Sequence, residues 1–145
     1  MTVRHEHPAD ETRTAVKNAD QLVNNSDVLE DCDDLKLEVG ANEVWGFNAS
    51  LFVNSSAVAD LKLGWTVPAS ATMKWNTNQT TAAVTSESGT LGVSCSGSDQ
   101  VCHLKGVIVA DATPGTVQLQ FAQNTAEVSD TKILANSHII FTKLK

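Results

Sequence analysis

The amino-acid sequence predicts an all-β fold, an antiparallel β-sandwich of jelly-roll type with a short N-terminal arm, and three observations point there. From residue 35 onward apolar side chains recur at every second position, the rhythm of strands with one buried face. Clusters of Ser, Asn, Asp, Gly and Pro interrupt that rhythm at short intervals, as turns do. No interval carries the roughly 10 to 15 residues of helical periodicity that a crossover helix needs, which argues against a parallel sheet.

The elements follow in order. Residues 1–20 are polar and read as an arm, with a short helix around Glu11 to Asp20 as the alternative; residues 21–145 form a single sandwich domain. A first strand lies near Gln21 to Val23, and NNSD breaks it. After the acidic stretch DVLEDCDD, Leu35, Leu37 and Val39 alternate with Lys36 and Glu38 in a half-buried strand. Trp45, Phe47, Ala49, Leu51 and Val53 share one parity, with Gly46, Asn48 and Ser50 on the other. Val44 and Phe52 interrupt that second face, as if a neighbour partly covered it. Past the NSSAVAD turn, Ala59, Leu61, Leu63, Trp65 and Val67 repeat the pattern until Pro68 ends it, which predicts a hairpin of two long strands.

Met73 and Trp75 mark a short strand, and the polar TNQTTAAVTSESG is a long loop or a weak edge strand around Ala82 to Thr85. Leu91, Val93 and Cys95 alternate up to SGSDQ, which reads as a hairpin tip. Cys102, Leu104, Gly106, Ile108 and Ala110 alternate after it. DATPG turns the chain, Val117, Leu119 and Phe121 form a further strand, and segments 133–135 and 138–144 close the fold. Eight to ten short strands suit two packed antiparallel sheets, with OB-like and immunoglobulin-like sandwiches as alternatives. The absence of tyrosine and of the usual Cys and Trp arrangement disfavours an immunoglobulin domain.

Charge narrows the function classes. The formal net charge is −7, and residues 1–38 hold ten acids against Arg4, Arg13, Lys17 and Lys36, while the remainder is nearly balanced. No basic patch gathers to hold a phosphate backbone, so direct nucleic-acid binding is not expected. No apolar run approaches the length of a membrane span, and the N-terminus lacks an apolar export signal. Three cysteines, an odd number, fit reduced thiols in a cytosolic setting. Cys95 and Cys102 flank the SGSDQ turn and could bridge after release from a cell.

The Val44, Trp45, Gly46, Phe47 strand, the Trp65 to Pro68 strand end and the run Gly115 to Asn124 (GTVQLQFAQN) carry a resemblance over residues 20–144. There the chain resembles small structural proteins of tailed phages and prophages, and more remotely the trimerising jelly rolls of the complement and tumour-necrosis type. The resemblance implies a virion protein made in the host cytoplasm, used in head decoration, a fibre or a tail. It implies a homo-oligomer, with a trimer favoured, docking on other capsid or tail proteins. The acidic stretch and the cysteine pair match no role in that family.

Candidate sites each have a bland alternative. Asp27, Glu30, Asp31, Asp33 and Asp34 could offer oxygens to a hard cation. Without the glycine and terminal glutamate of a calcium loop, they read better as a solvated or partner-facing loop, and Asp31, Asp33 and Asp34 are candidate partner contacts. His5 and His7 could share a soft metal ion, but a third ligand is lacking and an arm is the simpler reading. His103 and His138 could join Asp111 or Asp130 and a serine in a hydrolytic triad, against the commoner role of cross-strand polar residues. Trp45 and Trp65 belong to the core by parity, whereas Trp75 is the best candidate for a contact surface, including a glycan-binding one. Asn48, Asn54 and Asn78 fit the glycosylation pattern by chance. No phosphate loop, dinucleotide fingerprint, zinc quartet or hydrolase elbow is present, so no cofactor and no catalysis are expected.

Overall fold

A computed structural model describes residues 11–80, 83–84 and 89–145. The strands are β1 (Thr12–Val16), β2 (Gln21–Asn24), β3 (Glu30–Val39), β4 (Val44–Asn54), β5 (Leu61–Thr66), β6 (Thr72–Thr77), β7 (Leu91–Val93), β8 (Gln100–Val109), β9 (Gly115–Gln123), β10 (Asp130–Ile133) and β11 (His138–Lys143). They build two antiparallel sheets packed as a jelly-roll sandwich. The smaller sheet runs β3-β9-β5-β7. In the larger one β8 lies between β6 and β4, and β10 and β11 both pair with the other edge of β4. β2 pairs with β10 and β1 with β11, so the larger sheet is five strand positions wide.

From β2 to β10 the chain changes sheet at every step, and among the described residues no two consecutive strands pair. This corrects two sequence expectations. β4 and β5 are not a hairpin: β4 pairs with β8, β10 and β11, while β5 pairs with β7 and β9 in the opposite sheet. SGSDQ is likewise no hairpin tip, because β7 and β8 lie in different sheets. The cause is the same in both places. Alternation reports only that one face is buried, and two strands facing each other across a core alternate just as two neighbours in one sheet do.

The core sits between the sheets. Along one row of the larger sheet, Phe141, Phe47, Gly106 and Trp75 are paired across four strands. Trp65 enters from the smaller sheet, with ring centroids 5.1 Å from Phe47 and 6.1 Å from Trp75, the latter nearly perpendicular at 83°. Tilted and edge-on pairs of this kind contribute about 0.5–1.5 kcal/mol each beyond the area they bury. Gly106 makes the row possible. A Cβ there would lie 2.8 Å from Phe47 Cζ and 2.7 Å from Trp75 Cβ, and would also press on the Lys74 carbonyl oxygen.

Residues 12–16, within the stretch that reads as an arm or helix, form β1 instead. Its inward positions are Arg13 and Ala15, an alternation too weak to see in the sequence. The Arg13 guanidinium lies 5.1 Å from the centre of the Trp45 ring and donates to the Glu38 carbonyl, so it reaches from the larger sheet to β3 of the smaller one. The acidic stretch is also strand: β3 begins at Glu30 and continues through it. Between Asp31 and Lys36 the register against β9 shifts, with five steps on β3 opposite two on β9. The buried Gln118 side chain fills that bulge, donating to the Cys32 and Leu35 carbonyls at 2.9 and 3.2 Å.

At the start of β4, Glu43 pairs with Lys143 at 2.7 Å and accepts from Gly40 N at 2.6 Å and Trp45 Nε1 at 3.1 Å. The Lys143 contact chiefly holds its carboxyl down at about 2, from the usual 4.5. A carboxylate depressed on folding contributes stability that is complete above its unfolded pKa and is lost as pH falls through the folded one. The Glu43→Gln variant is therefore expected to be less stable at neutral pH, with a shallower loss of stability between about pH 4.5 and 2, measured by denaturant titration across that range. Gly106→Ala is expected to cost about 3 kcal/mol, whereas Gly46→Ala, whose new Cβ meets Leu144 Cδ1 at 3.4 Å, is expected to stay within about 0.5 kcal/mol of the parent. Urea midpoints of the two variants check this contrast.

Candidate interaction surface

Side chains that point away from the core treat the two sheets differently. On the smaller sheet the chain covers itself. Leu29 rests on Gly64, where a Cβ would come within 2.8 Å of Leu29 Cδ1, and Lys62 Nζ donates to the Asp27 carbonyl. The Ser26 carbonyl accepts from Gln123 N, and Ser26 N donates to Gln123 Oε1, both at 3.0 Å. The larger sheet has no comparable cover among the described residues.

Its outer face is laid out by the strand register. One row runs Thr12, Thr142, Gly46, Val107, Lys74, and the next Thr14, Ile140, Asn48, Lys105, Asn76. Val16, His138, Ser50 and His103 make a third, and Val44 and Val109 beside Leu144 continue the surface at one end, as Phe52 and Val101 do at the other. Ile140 is 42% exposed and Leu144 52%. Five strand positions at about 4.8 Å and nine residues at about 3.3 Å give a plane of roughly 700 Å². One partner of a standard protein interface buries about 800 Å². Among the described residues of these rows there is no acid; the full charges are Lys74 and Lys105, both exposed.

This surface was visible in the sequence only in part. Gly46, Asn48 and Ser50 mark the second parity of β4 as small, and Val44 and Phe52 on the same face are half-buried. The matching residues on β1, β6, β8 and β11 carry no signal that they lie beside them.

The sequence-predicted site residues fall elsewhere. Trp75, expected at a contact surface, is 1% exposed and belongs to the core, because its parity on β6 matches that of Met73. Trp45 and Trp65 are buried as their parity requires, so none of the three indoles is free to stack on a sugar. Asp31, Asp33 and Asp34 are exposed on the β3 bulge. Asp31 accepts from Gln120 Nε2 at 2.9 Å, and Asp34, in the left-handed region at φ 72°, accepts from Asn18 N at 3.0 Å. Beneath the bulge lies the nearly buried Lys17, whose ammonium donates to Gln21 Oε1 at 2.6 Å and to the Asp33 carbonyl at 3.2 Å. The bulge and the β1–β2 turn thus frame a groove lined by Lys17, Asp20, Asp33, Asp34 and Lys36.

His103 Nδ1 lies 3.4 Å from Ser50 Oγ, and His138 Nδ1 bonds the Asn136 carbonyl oxygen at 3.0 Å. Neither ring has a carboxylate partner among the described residues, so the triad geometry is not assembled there. His5 and His7 lie outside the described residues, as do Ala82 and Thr85 of the weak strand expected there; Val84 makes an isolated bridge with Trp75. Among the described residues no three metal-ligating side chains come together.

All three cysteines are buried free thiols. Burial pushes Cys32 and Cys102 up to about 12 and Cys95 up to about 11. A thiol held protonated is a poor nucleophile. A disulfide reagent at pH 8 is expected to leave the native protein nearly unlabelled and to count three thiols after unfolding; a count of one would show Cys95 and Cys102 bridged.

No family model and no curated protein matches the chain. Solved structures do. A chain in the structure of infectious bursal disease virus, Gx strain, is similar over 99% of this chain and 37% of its own length, with a TM-score of 0.50 and 14% identity. This chain thus spans little more than a third of that protein, and the likeness shows a shared fold. The Eiger tumour-necrosis-factor protein of S. frugiperda is similar at a TM-score of 0.47 and 11% identity over 92% of both chains. A chain of the baseplate tripod of bacteriophage Tuc2009 is similar at 0.47 and 7% identity, over 100% of this chain and 69% of that one.

Proposed function

We propose that this chain is a structural module of a virus particle, a jelly roll that associates with itself and docks on other coat or tail subunits. The observation that supports it most is the open outer face of the larger sheet. Its three central rows are close to interface size and free of acids among the described residues, and they are lined mainly by Thr, Ser, Asn and Val with Ile140, Lys74 and Lys105. A surface of that kind adheres: each 100 Å² of apolar area it buries contributes about 2.5 kcal/mol before ordering costs are subtracted. The fold held in common with a chain in the structure of infectious bursal disease virus agrees with this role.

More specifically, the chain serves as a decoration or head- or tail-associated protein of a tailed phage, with a trimer as the favoured assembly. The protein works by binding, and the histidines of the outer face act as polar strand residues.

Light scattering of the purified protein alone, and then mixed with virus shells or tails, tests this. A multimeric mass and co-migration with particles are expected. A monomer that bound neither and turned over a small substrate would overturn the proposal, and binding to host cells or glycans in place of particles would assign it to a fibre tip.

A further inference from the structure

Within the three rows described above, the two lysines of the outer face sit on one side; Lys132 and the exposed Asp130 lie beyond those rows, on β10. Lys74 and Lys105 project from β6 and β8, while the β1 side of the same surface offers Thr12, Thr14 and Val16. Pairing two copies face to face through a twofold axis would bury both ammonium groups against uncharged side chains, and a buried charge without a partner is costly. The chain carries its answering charge elsewhere. Residues 1–38 hold ten of its 17 acids, and Glu30 and Asp33 stand exposed on β3, the edge strand of the smaller sheet.

We infer that the outer face of the larger sheet receives a second copy of this chain edge-on, with that copy's β3 edge, Glu30 and Asp33, against Lys74 and Lys105. The inference rests on the self-association proposed above and specifies its geometry. Two different patches meet in such a contact, so it is heterologous: each copy gives an edge to one neighbour and a face to the other, and the assembly closes as a ring where the rotation allows. Complementary potentials also fix the register of docking and raise the association rate.

Charge reversal separates this from other modes of association. Two variants are needed, Lys74→Glu with Lys105→Glu and Glu30→Lys with Asp33→Lys, together with a third that carries all four changes. The sites are exposed, and circular dichroism verifies that each variant folds. Sedimentation velocity at low salt is expected to show at least tenfold weaker association for each paired variant alone. It is expected to recover in the fourfold variant, where every face and edge are again complementary. A parent that associates while both paired variants match it, or a folded fourfold variant that stays dissociated, overturns the edge-on contact alone. A parent that is monomeric at every concentration overturns this contact and the self-association beneath it.

Discussion

The structure depends on one packing constraint: four rings from four strands must meet between the sheets at a place where one strand has no side chain. Phe141, Phe47 and Trp75 stand in a single row of the larger sheet, and Gly106 occupies the position between Phe47 and Trp75. The space it leaves is taken by the Phe47 ring, and Trp65 from the smaller sheet closes over both neighbours. Every contact in this cluster except Trp65 with Trp75 joins residues well apart in sequence. A fold built this way gains little from local pairing and must close long loops before the core rewards it, the regime of slow β folding.

Around that core the edges of the sandwich are sealed by polar groups. Arg13 joins β1 to β3 through the Glu38 carbonyl and the Trp45 ring, Lys17 ties the β1–β2 turn to the β3 bulge, and Gln118 occupies the bulge from within. Each is a long side chain whose stem packs and whose head finds a carbonyl, so none of these three heads is left unmet. The result gathers Glu30, Asp31, Asp33 and Asp34 on one edge and leaves the central rows of the larger sheet's outer face without an acid or a covering loop among the described residues. The asymmetry between the two outer faces, one covered by its own loop and the other without such cover among the described residues, is what gives the proposed assembly a direction.

Sequence reasoning succeeded wherever a single strand could be judged alone. The parity of Trp45, Phe47, Ala49, Leu51 and Val53, all buried, was plain. It failed where partners had to be chosen. Leu61, Leu63 and Trp65 read as the hairpin mate of β4 and in fact lie across the core from it. Trp75, short of apolar neighbours in sequence, looked free, yet its neighbours arrive from β8, β4 and the other sheet. β1 was missed because arginine is a poor marker of an inward position, although its stem and guanidinium are what that edge requires.

What the sequence by itself determined is the material: strands of given parity, turns between them, an acidic first third and no motif of chemistry. These are local properties, set by side-chain type and the two-residue period of the backbone. Which strands pair, which of the two outer faces stays bare, and that Gly106 rather than a larger residue stands between Phe47 and Trp75 for a reason, only the tertiary structure decided. Period two is the same for a neighbour in a sheet and for a strand across the core, and the choice between them is made by packing volumes that no short window of sequence contains.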